Sequence, residues 1–205
     1  MNPITLFWNR ITYRLYGASM GAGKPVPVAA LDREYASGAW DHFYGPDEQP
    51  RFDVLLGLLD SAGPAPSVLE LGCGSGRLLS LIPPGRVSRY LGVDLSEEGL
   101  NRARALGRAG ADFLRADFET WRPGEPWDLV VFNESIGYAR DPAATALAFS
   151  HHLTPRGRII ISHHRYGNSG AQWKRIESVL DVEKTATASN ARGQHWDLKV
   201  LRARP

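Results

Sequence analysis

The sequence predicts an α/β domain built on a doubly wound, mostly parallel sheet. Three observations carry that prediction. Short apolar runs alternate with helical patterns from residue 67 onward, the order expected of a sheet covered by helices on both faces. The run at 127–133 is almost continuously apolar, as a parallel strand buried on both sides should be. The run at 67–71 passes into a glycine-rich turn and then a helix, and ligands on such sheets sit at the carboxyl ends of the strands.

Taken in order, residues 1–17 read as an amphipathic helix, with Ile4, Phe7, Trp8, Ile11 and Leu15 at helical spacing and Arg10 and Arg14 elsewhere. Residues 17–27 are rich in Gly and Pro and read as a loop. Residues 28–62 read as helical in pieces, with an aromatic cluster (Tyr35, Trp40, Phe43, Tyr44) and an apolar pattern (Phe52, Leu55, Leu56, Leu59). Strands are expected at 67–71, 89–94, 111–116, 127–133 and 158–163. Between them, a helix over 77–82 is stopped by Pro83 and Pro84. A second begins after Ser96, an N-cap followed by the acidic first-turn residues Glu97 and Glu98. A third covers 141–153 with Pro142 at its first position, and a fourth covers 171–180. Residues 181–188 and 195–202 read as a terminal hairpin around Asn190 and Gly193. The whole is one domain over 1–205, with 1–62 as a helical cap and 63–205 as the core.

Composition excludes several classes. Hydrophobic residues make up 43% and charged residues 22%, as in ordinary globular chains. A net charge of +2 without clustered basic residues argues against nucleic acid as a partner. Cys73 is the sole cysteine, so no internal disulfide forms. No apolar run reaches the ~20 residues of a membrane span, and no secretory leader is recognisable. The expectation is a cytoplasmic enzyme without a membrane span.

The chemistry-bearing residues follow the strands. Glu70-Leu71-Gly72-Cys73-Gly74-Ser75-Gly76 closes the first strand, and its glycines let the backbone approach a ligand. Arg77 stands where a dinucleotide fingerprint needs its third glycine, and the Glu70 carboxylate would repel a pyrophosphate but favour a cation. Asp94 ends the second strand, where a carboxylate can accept from both hydroxyls of a ribose, and Leu95 follows it. After the third strand, Asp117 can accept from an adenine amino group and Phe118 can lie against its ring. The fourth strand ends in Asn133-Glu134.

This ordered series, E-L-G-C-G-S-G, G-V-D-L-S, A-D-F and D-L-V-V-F-N-E-S, resembles the class I S-adenosylmethionine-dependent methyltransferases over residues 67–165. The resemblance implies a Rossmann-like, seven-stranded sheet with an antiparallel terminal pair, and S-adenosylmethionine as cofactor. It implies that Glu70, Gly72, Gly74 and Gly76 surround the methionine part. Asp94 would hold the ribose and Asp117 and Phe118 the adenine, with Asn133 near the sulfonium and Tyr35, Cys73 and Leu95 among the cofactor contacts. The stretch Asn133–Pro142 is similar to a segment of small-molecule methyltransferases in which Tyr138 takes the place of a His. A Tyr there resembles nodulation-type N-methyltransferases.

Glu134, Tyr138 and His163 are the candidates for acceptor-side chemistry. Adjacent strand residues point oppositely, so His163 and His164 cannot both line one pocket. His151-His152 reads as a surface pair on the helix before the fifth strand, without the Cys or carboxylate that would complete a metal set. Residues 17–24 miss the spacing of a phosphate loop, and Pro25 stands where Ser or Thr is needed. The N-terminal aromatics are either a lid over a cation or plain packing. The helix near 4–15 is a cap or a dimer contact, for a monomer or homodimer. The expected function is methyl transfer to an O or N of a small molecule, such as a sugar or secondary metabolite. The alternatives are a protein or nucleic-acid acceptor, a non-catalytic cofactor-binding subunit, and other chemistry on the same cofactor. Orientation alone can contribute ~7–11 kcal/mol to such a reaction, so no base is obligatory.

Overall fold

The computed structural model describes residues 12–204. Of the N-terminal pattern, Ile4, Phe7, Trp8 and Ile11 lie outside the described residues. Leu15 falls in a π-helical turn, Tyr13–Gly17, and is exposed. The cap then runs through α1 (Val28–Ala36), a 3-10 turn (Asp41–Tyr44) and α2 (Gln49–Leu58). A further 3-10 turn (Leu59–Ala62) leads to β1 (Ser67–Leu71), α3 (Arg77–Leu81), β2 (Arg89–Asp94), α4 (Glu97–Arg104), β3 (Ala111–Arg115) and β4 (Trp127–Asn133). A 3-10 turn at Ile136–Tyr138, α5 (Pro142–Ser150), β5 (Leu153–His164), α6 (Ser169–Val179), β6 (Leu180–Ser189) and β7 (His195–Ala203) complete it.

The sheet has seven strands in the order β3-β2-β1-β4-β5-β7-β6. Strands β1 to β5 pair in parallel, and β7 runs antiparallel to both β5 and β6. The doubly wound sheet with a terminal antiparallel pair is therefore as the sequence predicts. At its centre Glu70 lies level with Gly92 on one side and Val131 on the other. Successive residues of each central strand face opposite sides, which divides the core in two. Leu69, Leu71, Val130, Phe132, Ile159 and Ile161 pack against Phe149 of α5 and Ile176 of α6. Val68, Leu129, Val131 and Ile160 pack against α3 and against Phe52, Leu55 and Leu59. Helix α2, read with the cap, is thus a core element of the second layer.

Local chemistry sets the element ends. Ser96 Oγ accepts from Gly99 N at 3.0 Å and caps α4. Asp141 Oδ1 accepts from Ala143 N and Ala144 N, both at 3.1 Å, and caps α5 behind Pro142. Helix α5 stops at Ser150, so His151 and His152 occupy the following turn rather than the helix. Strand β5 begins at Leu153, five residues before its predicted start at 158. Its register against β4 shifts between Trp127 and Leu129, which accommodates Pro155 and Gly157. In the terminal hairpin, Asn190 Oδ1 accepts from Arg192 N at 3.0 Å and Gln194 N at 3.1 Å, closing the turn.

Leu55 is fully buried between α2 and the sheet. Leu55→Ala is expected to destabilise the fold by about 2–5 kcal/mol, the range for a buried leucine whose site collapses only in part. Urea unfolding followed by circular dichroism measures it. A loss under about 1 kcal/mol would mean that α2 is not integral to the core.

Candidate functional site

A cavity of about 870 Å³ opens at the carboxyl ends of β1, β2 and β4, within the size range of small-molecule and cofactor sites. Gly72, Asp94, Leu95, Asp117, Phe118 and Asn133 form its floor. A strap over residues 23–31 and the aromatics Tyr35, Trp40 and Phe43 cover it. Glu119, Glu134, Tyr138 and Arg140 close the remaining side. Six of the predicted cofactor residues therefore share one floor, and Tyr35 joins them from above.

The glycine loop owes its shape to close approach. Gly72 has φ +76°, and a Cβ there would lie 2.4 Å from that of Ser135. A Cβ on Gly74, at φ +53°, would lie 2.2 Å from the Tyr35 hydroxyl. Asp94 locks the loop to β2: its Oδ2 accepts from Gly74 N and its Oδ1 from Ser96 N, each at 2.8 Å. Each oxygen keeps a further lone pair for a ligand. Burial pushes the Asp94 carboxyl up, and these amide bonds pull it back down. Asp117 Oδ1 accepts from Glu119 N at 2.8 Å, and Phe118 meets Phe132 edge-on with ring centres 5.9 Å apart.

Other predicted residues stand off the cavity. Gly76 starts α3 against Ala103 and Leu106. Cys73 and Gly74 line only a small adjoining recess of about 50 Å³, and the Cys73 thiol lies over Gly92, where burial pushes its pKa up. Glu70 lies behind the wall and does not line the cavity. It accepts from the Tyr90 hydroxyl and, at 3.2 Å, from Asn133 Nδ2. Asn133 Oδ1 in turn accepts from Arg51 Nη1, and Arg51 is clamped to Glu48 Oε2 by Nε at 3.0 Å and Nη2 at 2.8 Å. The Arg51 guanidinium also lies over Phe52, 4.2 Å from the ring centre. Its side chain is only 1% exposed. Sequence reading missed Arg51. The signal was its position: it lies four residues before Leu55, on the buried stripe of α2.

On the acceptor side, Glu134 has φ +61°, a strained position for a non-glycine residue. Its carboxylate accepts from Ser162 Oγ at 2.7 Å and His164 N at 2.9 Å, which ties the ends of β4 and β5 together. Tyr138 lines the cavity, and burial and the charge of Glu134 push its phenol pKa up. Burial and Asp94 do the same to Tyr35, so both stay protonated. His163 does not reach the cavity: its ring lies behind Gly137, and its Nε2 is hydrogen-bonded to Gln172 Oε1. His164 faces the other side, with its ring 5.3 Å from that of Trp196. The two histidines diverge as strand alternation requires. No group of three or more metal-ligating side chains occurs among the described residues. No helix among them is long and apolar enough to cross a membrane.

A nucleotide-sized cavity at a strand-order reversal, floored by a glycine loop and an acid at the end of β2, defines a nucleoside-binding α/β domain. The chain belongs to the methyltransferase domain family, whose model it matches over residues 42–203. Among known proteins, trans-aconitate 2-methyltransferase of Streptomyces coelicolor is 30% identical over 122 residues, 55% of this chain and 39% of that protein. The protein of the same name from Rhizobium rhizogenes is 41% identical over 108 residues, 48% of this chain and 38% of that protein. The chain thus matches less than half the length of these relatives. Among solved structures, N-methyltransferase NodS from Bradyrhizobium japonicum WM9, in complex with S-adenosyl-l-homocysteine, superposes with a TM-score of 0.73 at 20% identity. That match covers 87% of this chain and 98% of NodS, and it is a likeness of fold.

Burial pushes the Glu70 carboxyl up to about 7, against the pull of its bonds to Tyr90 and Asn133 and of nearby Arg51. The folded state therefore holds a proton on Glu70 between the unfolded value near 4.5 and about 7, where the unfolded chain has released it. Stability from this group is complete below 4.5 and falls as pH rises through 7. The expected loss is about 3 kcal/mol by proton linkage. Glu70→Gln should flatten that stretch of the curve relative to the parent protein in urea unfolding at pH 5 and pH 8. Equal slopes in the two proteins would show Glu70 to be charged throughout.

Proposed function

We propose that this chain transfers a methyl group from S-adenosylmethionine to an O or N atom of a small-molecule acceptor. The observation that carries the reading is the convergence of Gly72, Asp94, Asp117, Phe118 and Asn133 on one floor, with free volume left beneath the strap. The family match supports the same reading, and the relatives named for trans-aconitate support a small-molecule acceptor.

The residues present fit the cofactor. Asp94 keeps acceptor capacity for two ribose hydroxyls, and Asp117 with Phe118 offers an acceptor and a ring face to adenine. Arg51 lines the recess beside the glycine loop and brings a positive charge to a carboxylate end. Trp40, on the covering wall, holds a buried Nε1–H without a partner among the described residues. The stacked rings of Tyr35, Trp40 and Phe43, at centre spacings of 5.8 and 5.6 Å, give the cover an electron-rich surface that suits a cation.

When bound, S-adenosylmethionine supplies a methyl group already activated by its sulfonium. The chain's own work is to hold and to exclude. Asp94 and the glycine loop fix one end, the strap and aromatics shut out water, and the pocket beyond Tyr138 aligns the acceptor.

Calorimetry with S-adenosylmethionine and S-adenosylhomocysteine tests the cofactor half. Asp94→Ala is expected to weaken both by ~1–3 kcal/mol, the range for hydrogen bonds lost at a buried site. The variant's thermal unfolding serves as a check on its fold. Absence of binding by the parent protein would remove the proposal.

A further inference from the structure

We infer that Gln172, oriented by His163, is a positioning residue for methyl transfer: it seats the strap, and with it the apolar wall of the cavity, against the turn that carries Tyr138. The inference rests on the methyl-transfer reading and gives His163 a part other than that of a base.

The first observation is a seat built for close approach. Gly21 and Gly23 belong to the glycine run that misses the spacing of a phosphate loop, and both are buried while Lys24 and Pro25 beside them are exposed. A Cβ on Gly23 would lie 1.8 Å from Ala139 O and 2.7 Å from Gly137 O, so the strap rests on that turn at a distance only glycine permits. Gly21, at φ +76°, approaches α6 in the same way, and a Cβ there would lie 2.7 Å from Ala171 O. The strap is thus wedged between the turn and α6. Gly23 N and Lys24 N fasten it, donating to Arg140 O at 3.3 Å and Gly137 O at 2.9 Å.

The second observation is how Ala22, between the two glycines, is held. Its carbonyl accepts from Asn168 Nδ2 at 2.8 Å and Gln172 Nε2 at 3.3 Å, which occupies both lone pairs. Gln172 is 2% exposed, where an amide left without its partners is costly. Because its Nε2 faces Ala22 O, its Oε1 faces His163 Nε2. An amide oxygen only accepts, so His163 Nε2 carries the hydrogen. That nitrogen is a donor to Gln172 and takes no proton from an acceptor. The imidazole is held from two sides: a Cβ on Gly137 would lie 3.2 Å from its Cε1, and the Trp173 ring meets it edge-on with centres 6.1 Å apart.

The third observation is what the strap carries. Pro25, Val26, Pro27, Val28 and Leu31 line the cavity, and Tyr138 lines it from the turn on which the strap rests. Pro25 and Pro27 each fix one backbone dihedral, so a shift at Ala22 carries through to Val26 and Val28 with little slack. Methyl transfer needs the acceptor aligned with the methyl–sulfur bond, and a misplacement of about 1 Å costs on the order of a hundredfold in rate. Gln172 does not line the cavity, so it acts through this wall alone.

The test follows amide hydrogen exchange and the release of S-adenosylhomocysteine, once calorimetry has measured its binding to the parent protein. Gln172→Leu is expected to speed exchange at the Gly23 and Lys24 amides, and release of S-adenosylhomocysteine, each about three- to tenfold, the scale of one hydrogen bond. Gln172→Glu, which puts an acceptor where Nε2 stood, should match it and carries the test if the leucine variant does not fold. His163→Leu should move both rates the same way. His163→Gln keeps a donor toward Gln172 but cannot serve as a base, and should stay within about twofold of the parent. Amides of β1 and β4 should exchange at parent rates in every variant, which separates a lost seat from a weakened fold. Parent-like exchange at Gly23 and Lys24 in the Gln172 variants would overturn the seat. Parent-like release alongside faster exchange would overturn the positioning role. His163→Gln behaving as His163→Leu would show that the imidazole itself is needed and overturn the part given to His163. Each of these leaves methyl transfer standing, whereas failure of the parent to bind S-adenosylhomocysteine would bring down that reading itself.

Discussion

The site depends on a single topological constraint: β1 and β4 are neighbours in the sheet, but the helices that follow them leave on opposite faces. Helix α3 joins the layer with Phe52 and Leu55, and α5 joins the layer with Phe149 and Ile176. The two connections must therefore diverge above the strand ends, and the crevice between them cannot be filled by either. Gly72, at the end of β1, and Asn133, at the end of β4, stand on its two sides. Everything that gives the cavity chemistry is attached to that gap. The Asp94 carboxylate ties the glycine loop to β2, and Glu134 ties β4 to β5.

The wall behind the gap is polar where a core would normally be apolar. Glu48, Arg51, Asn133, Glu70 and Tyr90 form a continuous hydrogen-bonded chain from α2 through β4 and β1 to β2. Buried ion pairs of this kind are poor sources of stability, because desolvation offsets their attraction. They are strong sources of geometry, since no member can move without leaving a neighbour unpaired. Here the consequence is that α2, the one cap helix inside the core among the described residues, reports directly on Asn133 at the cavity floor. The chain joins fold to site.

Most of the frame was legible because it is written in patterns that tolerate little ambiguity. Strands β1, β2 and β4 fall where apolar runs bounded by Gly, Pro and Asp place them. Gly72 and Asp94 are required by backbone approach and by position at strand ends. What escaped follows from two physical causes. Pro155 and Gly157 precede the strand start expected at 158, yet a register shift carries β5 through them. Arg51 belongs to none of the motifs the sequence offers, yet its place on the stripe with Leu55 buries it. His163 is the converse: its sequence position after β5 suggests a base, and only three-dimensional packing shows Gly137 standing between it and the cavity.

The acceptor side was illegible for a different reason, and that reason bears on how the site works. The strap is held by the amides of Gly23 and Lys24 and the carbonyl of Ala22, groups that every residue possesses, so no side-chain pattern announces it. Helix α1, which continues the cover, has no buried residue and is attached by polar contacts: Asp32 with Ser96, and Arg102 with the Tyr35 carbonyl and Asp41. Solvent competes for such bonds far more effectively than for the contacts of Leu55 or Phe149. The floor, by contrast, is fastened by the paired strands β1, β2 and β4. Floor and cover are thus secured by independent sets of bonds, so Asp94 and the glycine loop keep their shape through β1 and β2 alone, whatever residues the cover carries.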